Sequence, residues 1–232
     1  MEHIAALDKL QKLLEPLEFV VWGEAAMANL GVPLIPHDIM LVPSEQDYAA
    51  ALAKVEREGF YNTPWSYGSL DPAEIDAHPQ SERLRQIHST ADQHYKTLNT
   101  HSTRYKFPTG TFTSLRLLFL HPNYVGLSPL FPSTLDDRSS CEDKSTAYIR
   151  QDNFLYPNVS TLLQSFIRTA LADKEGKTWK KVLYVWITSY ICMYLPVRPD
   201  SLDSCEDESV KKAFSDLIQS DFVSRWDKAK NP

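Results

Sequence analysis

The chain has 232 residues, 43% hydrophobic and 23% charged, enough to bury a substantial core and far from disordered or collagen-like composition. Its 24 Lys and Arg against 30 Asp and Glu leave a net charge of −6, the wrong sign for a protein that works by neutralising nucleic-acid phosphates. Seven Gly against 15 Pro leave little material for glycine-rich phosphate loops, and three cysteines do not make a disulfide framework.

The first 17 residues carry charges throughout and contain no apolar signal core. The longest apolar stretch, Val182 to Leu195, has 14 residues interrupted by Thr188, Ser189 and Tyr190, too short for a bilayer. A cytoplasmic protein with no membrane partner is the expectation. Cys141 and Cys205 both stand in Ser-Cys-Glu-Asp, read here as exposed acidic stretches, and Asn158-Val159-Ser160 has the form of a glycosylation sequon.

Ile4, Leu7, Leu10 and Leu14 predict a first amphipathic helix, ended by Pro16. Phe19 to Trp22 reads as a short buried strand, Glu24 to Leu30 as a helix closed by Gly31, and His37 to Val42 as a second strand. Ser44 with Asp47 three residues on resembles a capping box, predicting a helix from there to Glu58 with Gly59 as its stop. Phe60-Tyr61 is an edge-strand candidate. Thr63 to His101 reads as long loops with one helix near 81–87. Two strands follow, Arg104 to Phe107 and Ser114 to Leu120, and then an acidic, Ser-rich linker from Ser133 to Lys144. Beyond it, three apolar stripes predict helices through 159–167, 179–190 and 210–218.

The run from Val20 through Gly23, Glu24 and Gly31 to His37-Asp38-Ile39-Met40 has the layout strand, glycine, short helix, second glycine, strand with an early Asp. It resembles the core of the nucleotidyltransferase fold, the polymerase-β-like superfamily, and more closely a group of fungal nucleotidyltransferase-like proteins. The likeness covers residues 18 to 60. It implies an α+β core over residues 1–135, a mixed sheet flanked by helices, and the apolar stripes beyond the acidic stretch predict a helical region over 136–232 packed on that core.

The reaction of that family needs two carboxylates at i and i+2 on a strand, a third from a neighbouring strand, and a small-residue turn open to phosphates. Here Asp38 matches the first carboxylate, but Met40 stands at the second position and Glu24 follows the turn glycine. The strands that would give the third carry Arg104, Lys106 and Arg116, and no Asp or Glu occurs between Asp92 and Asp136. One carboxylate cannot hold two magnesium ions. His78, His88, His94 and His101 lack the spacing of a metal site, so neither a metal nor another cofactor is expected.

Catalytic candidates are therefore the polar residues Glu24, His37, Asp38, Arg116 and His121. Each also has a structural explanation: Glu24 favours its helix N-terminus, His37 reads as a surface histidine, and Arg116 in its apolar strand can pair with Asp38. Trp22, Met40, Trp65, Tyr67 and Tyr124 are candidates for lining an apolar cleft at the carboxyl ends of the strands, or for ordinary core packing. Three functions compete. One is a cleft for a mostly apolar small molecule, with a cofactor-free cyclase (such as a Diels–Alderase) or isomerase of secondary metabolism as its enzymatic form. The others are a non-enzymatic binding or regulatory, antitoxin-like module and a divergent magnesium-dependent nucleotidyltransferase. None calls for nucleic acid, and the oligomeric state stays open.

Overall fold

A computed structural model of the chain describes residues 2–64, 66–69, 75–108, 110, 112, 114–127, 147–174 and 177–230. Trp65, Cys141 and the predicted 133–144 linker lie outside the described residues.

Helix α1 spans Glu2–Leu14. Its buried positions are His3, Ala6, Leu10 and Leu14, one residue off the predicted stripe at the start, so Ile4 faces solvent at 46% exposure. Strand β1 (Phe19–Trp22) and strand β2 (Asp38–Pro43) pair antiparallel around the short helix α2 (Gly23–Asn29). The capping-box sequence does something other than cap. Ser44 and Asp47 bond each other's side chains in a turn, and helix α3 starts after them, at Tyr48, and runs to Arg57. Strand β3 (Tyr61–Asn62) is an edge strand, as expected. Where the sequence predicts one helix among loops, the described residues include α4 (Ser81–Ser89), α5 (Ala91–His94) and α6 (Lys96–Thr100).

Strands β4 (Ser102–Lys106) and β5 (Arg116–Leu120) pair antiparallel, and β5 lies parallel to β2. A hairpin absent from the sequence reading, β6 (Tyr148–Gln151) and β7 (Phe154–Pro157), adds to the other side of the sheet, with β7 parallel to β1. The single sheet runs β3-β4-β5-β2-β1-β7-β6. Residues assigned from sequence to the start of the helical part thus complete the sheet, well past residue 127.

Helix α7 (Val159–Ala172) follows directly, and the sequon asparagine explains its start: the Asn158 side chain accepts from the Thr161 N–H at 2.8 Å. Helix α8 (Lys177–Val185) continues through a wider π-helical segment, Trp186–Ile191, into α9 (Cys192–Tyr194), and α10 (Glu208–Lys230) ends the fold. Cys205 is buried rather than exposed, because the turn around it folds onto α7 and its thiol reaches Gln164 Oε1 at 3.4 Å.

The result is the α+β class: a mixed sheet with helices on both faces and a helical C-terminal part. Period-2 alternation sorts the sheet residues. Tyr105 bonds Glu56 and the Tyr48 hydroxyl bonds the Phe119 carbonyl, which sets α3 on one face. Trp22 sits on the opposite face, with its indole N–H on Ser165 Oγ at 2.8 Å and its ring against Phe166, Trp179 and Trp186. The C-terminal helices therefore cover the face that also carries Met40 and Asp38. Among the described residues, no helix is long and apolar enough to cross a membrane.

Candidate functional site

Parallel register places Asp38 and Arg116 side by side at the starts of β2 and β5. Arg116 Nε lies 2.8 Å from Asp38 Oδ1, and Nη2 donates to Oδ2 at 3.3 Å. The exposure of the two is unequal: the Asp38 side chain retains 3% and the Arg116 side chain 33%. Burial pushes the Asp38 carboxyl above its ordinary range, and the Arg116 charge and a hydrogen bond from Tyr67 pull it back. The Tyr67 ring lies under the guanidinium, 5.9 Å from centroid to Cζ, and its own phenol is raised by burial and by the neighbouring Asp38 and Glu24 charges.

Because β1 is antiparallel to β2, its carboxyl end meets the start of β2, so the Gly23 turn belongs to the same corner. Gly23 has φ +66°, and a Cβ there would stand 2.7 Å from Met40 Sδ and 3.5 Å from Trp186. The turn that would receive phosphates in the family resembled is filled by a thioether and an indole. Met40 and Trp22 have no exposed surface, so both are core floor beneath the corner rather than an open cleft.

Glu24 turns away from the turn and caps the start of β2. Its Oε2 accepts from the His37 N–H at 2.7 Å and stands 3.5 Å from the Asp38 nitrogen. Burial raises its pKa, the His37 N–H opposes that, and the charge of Asp38 adds to it. The His37 ring is 74% exposed and lies 3.9 Å from Glu24 at the rim.

Five of the predicted residues thus form the corner: Glu24, His37, Asp38, Tyr67 and Arg116, with Met40 and Trp22 beneath. His121 is not among them. It follows the far end of β5, about 16 Å along the strand at ordinary rise, where its ring meets Tyr48 at 5.1 Å. In a mixed sheet the carboxyl ends of the strands are not one place, which is why the expected grouping separates. Tyr124 stacks on His101 at 4.8 Å, near that end. Sequence reading did not select Asn99, which accepts from the Tyr67 N–H at 3.0 Å and from the Arg104 guanidinium, and so fixes the Tyr67 segment. Nothing in its sequence context signals this. Among the described residues, no group of three or more His, Cys, Asp or Glu converges in a way that could hold a metal ion.

No family model and no curated protein matches the chain. Among solved structures it is similar to the antibiotic-resistance factor ANT(2'')-Ia, whose solution structure was described for its substrate-regulated conformation dynamics. The two are 11% identical over all of both chains, with a TM-score of 0.38. The nature of the fold rests instead on the strand order and pairings given above.

Proposed function

We propose that this chain is a nucleotidyltransferase-like scaffold that binds a mostly apolar small molecule and does not transfer nucleotides. The antiparallel β1–α2–β2 unit with β5 added parallel to β2 supports the scaffold. The observation that carries the function is Arg116 in register against Asp38. A guanidinium occupies the neighbour of the one matching carboxylate, the second carboxylate is Met40, and the Gly23 turn is packed shut. A triphosphate with two magnesium ions finds neither its ligands nor its backbone cradle there.

The corner offers a different set of contacts. Arg116 is held by a buried carboxylate, so its guanidinium is oriented before any ligand arrives, with the Tyr67 ring beneath it. Donation to a carbonyl oxygen withdraws electron density from a conjugated system, while apolar walls hold one conformer. A cofactor-free cyclisation, such as a Diels–Alder reaction, or an isomerisation asks those two things of a protein. The closed floor, with Trp22 and Met40 wholly buried, favours a second reading: a non-enzymatic binding or regulatory module that recognises its ligand at the rim. Release of an unchanged ligand, rather than a rearranged product, separates the two.

Calorimetry of the whole chain with ATP, GTP, CTP or UTP plus magnesium is expected to be flat at sub-millimolar concentrations. A micromolar affinity abolished by Asp38→Ala would overturn the proposal and restore metal-dependent transfer.

A further inference from the structure

We infer that the stretch Ser66–Ser69 and the helices α4 and α5 that come after it form a lid, which lifts from the Asp38–Arg116 corner to admit the ligand while α6 stays in place; this rests on the small-molecule reading above. The Tyr67 hydroxyl bonds Asp38, its ring lies 5.9 Å from Arg116 Cζ, and the Ser69 carbonyl stands 3.5 Å from Arg116 Nη1. The same ring meets Trp179 at 5.3 Å, and Trp179 in turn packs on Trp22 and Trp186. Ser66–Ser69 therefore forms an outer wall of the corner. Trp22 and Met40, the floor, have no exposed surface and belong to paired strands of the sheet. A ligand that reaches past the rim displaces the wall, because a close-packed core does not yield.

The elements that follow the wall are weakly anchored. Helix α4 has no buried residue, and its Ile87 stands 54% exposed. Helix α5 contributes Ala91 to the interior and meets α8 through an exposed contact, His94 Nδ1 to Thr178 Oγ1 at 3.1 Å. Helix α6 differs: Leu98 has no exposed surface, and Thr97 donates to the buried Asp173 carboxylate at 2.8 Å. Segments with little buried apolar surface open locally at a fraction of the free energy of global unfolding. Asn99 ties the wall to α6, its Oδ1 accepting from the Tyr67 N–H at 3.0 Å and its Nδ2 donating to Ser66 Oγ at 2.7 Å. Tyr95 adds a second hold, with its ring 5.1 Å from that of Tyr67 and one edge 3.3 Å from where a Gly68 Cβ would stand. Asn99 and Tyr95 are the latch. Lids that admit a ligand and then shut out water are held in this way, by a few contacts on a fixed frame.

The test uses the full chain and carbodiimide coupling of glycine ethyl ester to carboxyls, read by peptide mass spectrometry. Asp38 and Asp173 are both buried, one behind the lid and the other behind the fixed α6. Asp38 is expected to react through local opening, at a rate flat in urea below the unfolding transition. Asp173 should react only through global unfolding, at a rate that climbs with urea. Asn99→Ala and Tyr95→Ala each loosen the latch and should speed reaction of Asp38 about fivefold, with Asp173 unchanged. The wild-type comparison stands even where a variant fails to fold. Asp38 tracking Asp173 in urea would overturn the lid. So would an Asp38 rate indifferent to both folded variants, which would report leakage through a closed wall. The neutral apolar probe 1-naphthol, its binding followed by ligand-observed NMR, should slow Asp38 about tenfold at ten times its dissociation constant. Binding that leaves the Asp38 rate unchanged would overturn the lid and leave the small-molecule reading standing. No binding at millimolar concentration, with the urea-flat rate intact, would overturn the small-molecule reading and with it a lid that admits a ligand.

Discussion

The two ends of strand β5 carry ionisable side chains in opposite circumstances. At its start, Arg116 is flanked in register by Asp38 and Lys106, lies over Tyr67, and is tied to a carboxylate with 3% exposure. Past its far end, His121 has its ring against Tyr48, and its backbone N–H donates to the His101 carbonyl. Both residues flank the same run of buried leucines and phenylalanine. The difference lies in what adjacent strands bring alongside. A charge is held in one orientation when its register neighbours constrain it, and the direction of each neighbouring strand decides which residues those are.

The sharpest way to break that comparison is to remove one partner of the ion pair at a time. Arg116→Ala leaves Asp38 buried beside Met40 with its main counter-charge gone, and should cost about 3 kcal/mol in urea unfolding. Asp38→Asn leaves an arginine that is one-third exposed and can turn to water, and should cost about 1 kcal/mol. An Arg116→Ala loss no larger than about 1 kcal/mol would mean that the pair is worth no more than a solvent-exposed one.

Much of this corner was legible in the sequence. Asp38, Met40, Glu24 and the carboxylate-free stretch through Arg104, Lys106 and Arg116 already argued against two-metal chemistry, and an arginine inside an apolar strand required a partner. Register was not legible, because it depends on which strands pair and in which direction. For that reason His121 and Trp22 read as neighbours although β1 and β5 end on opposite sides of the sheet. The β6–β7 hairpin was missed because Tyr148–Gln151 and Phe154–Pro157 are only four residues each and are followed at once by a strong helical stripe. Ser44 and Asp47 carried a helix-start signal that their mutual hydrogen bonds turned into a separate turn.

A second test probes how firmly the corner is closed. Gly23→Ala puts a side chain at φ +66° and a methyl group 2.7 Å from Met40 Sδ. The left-handed backbone costs about 1 kcal/mol and the overpacking 1 kcal/mol or more, so a loss of about 2 kcal/mol is expected. Met40→Ala opens that space at its own cost, and the double variant should be less destabilised than the sum of the singles by about 1 kcal/mol. Strict additivity would show that Met40 does not seal the turn, and would reopen the phosphate cradle that the other end of the sheet never had.

The smallest effect concerns Glu24, and it is read through pH. Burial raises the Glu24 carboxyl above its ordinary value of 4.5, despite the hydrogen bond it accepts from the His37 N–H. Between 4.5 and the raised value, the folded chain holds a proton that the unfolded chain has released. Stability therefore falls as pH rises through that window, and the cost of the charged, buried form is fully present above it. In Glu24→Gln the amide oxygen can still accept from His37, but nothing titrates. Its unfolding free energy minus that of the wild type should thus increase as pH climbs through the window and then level off. A Glu24→Gln difference that instead shrinks as pH rises would mean that the charged carboxylate stabilises the fold, through the His37 ring 3.9 Å away or through the helix start, and that its burial at this corner is of no consequence.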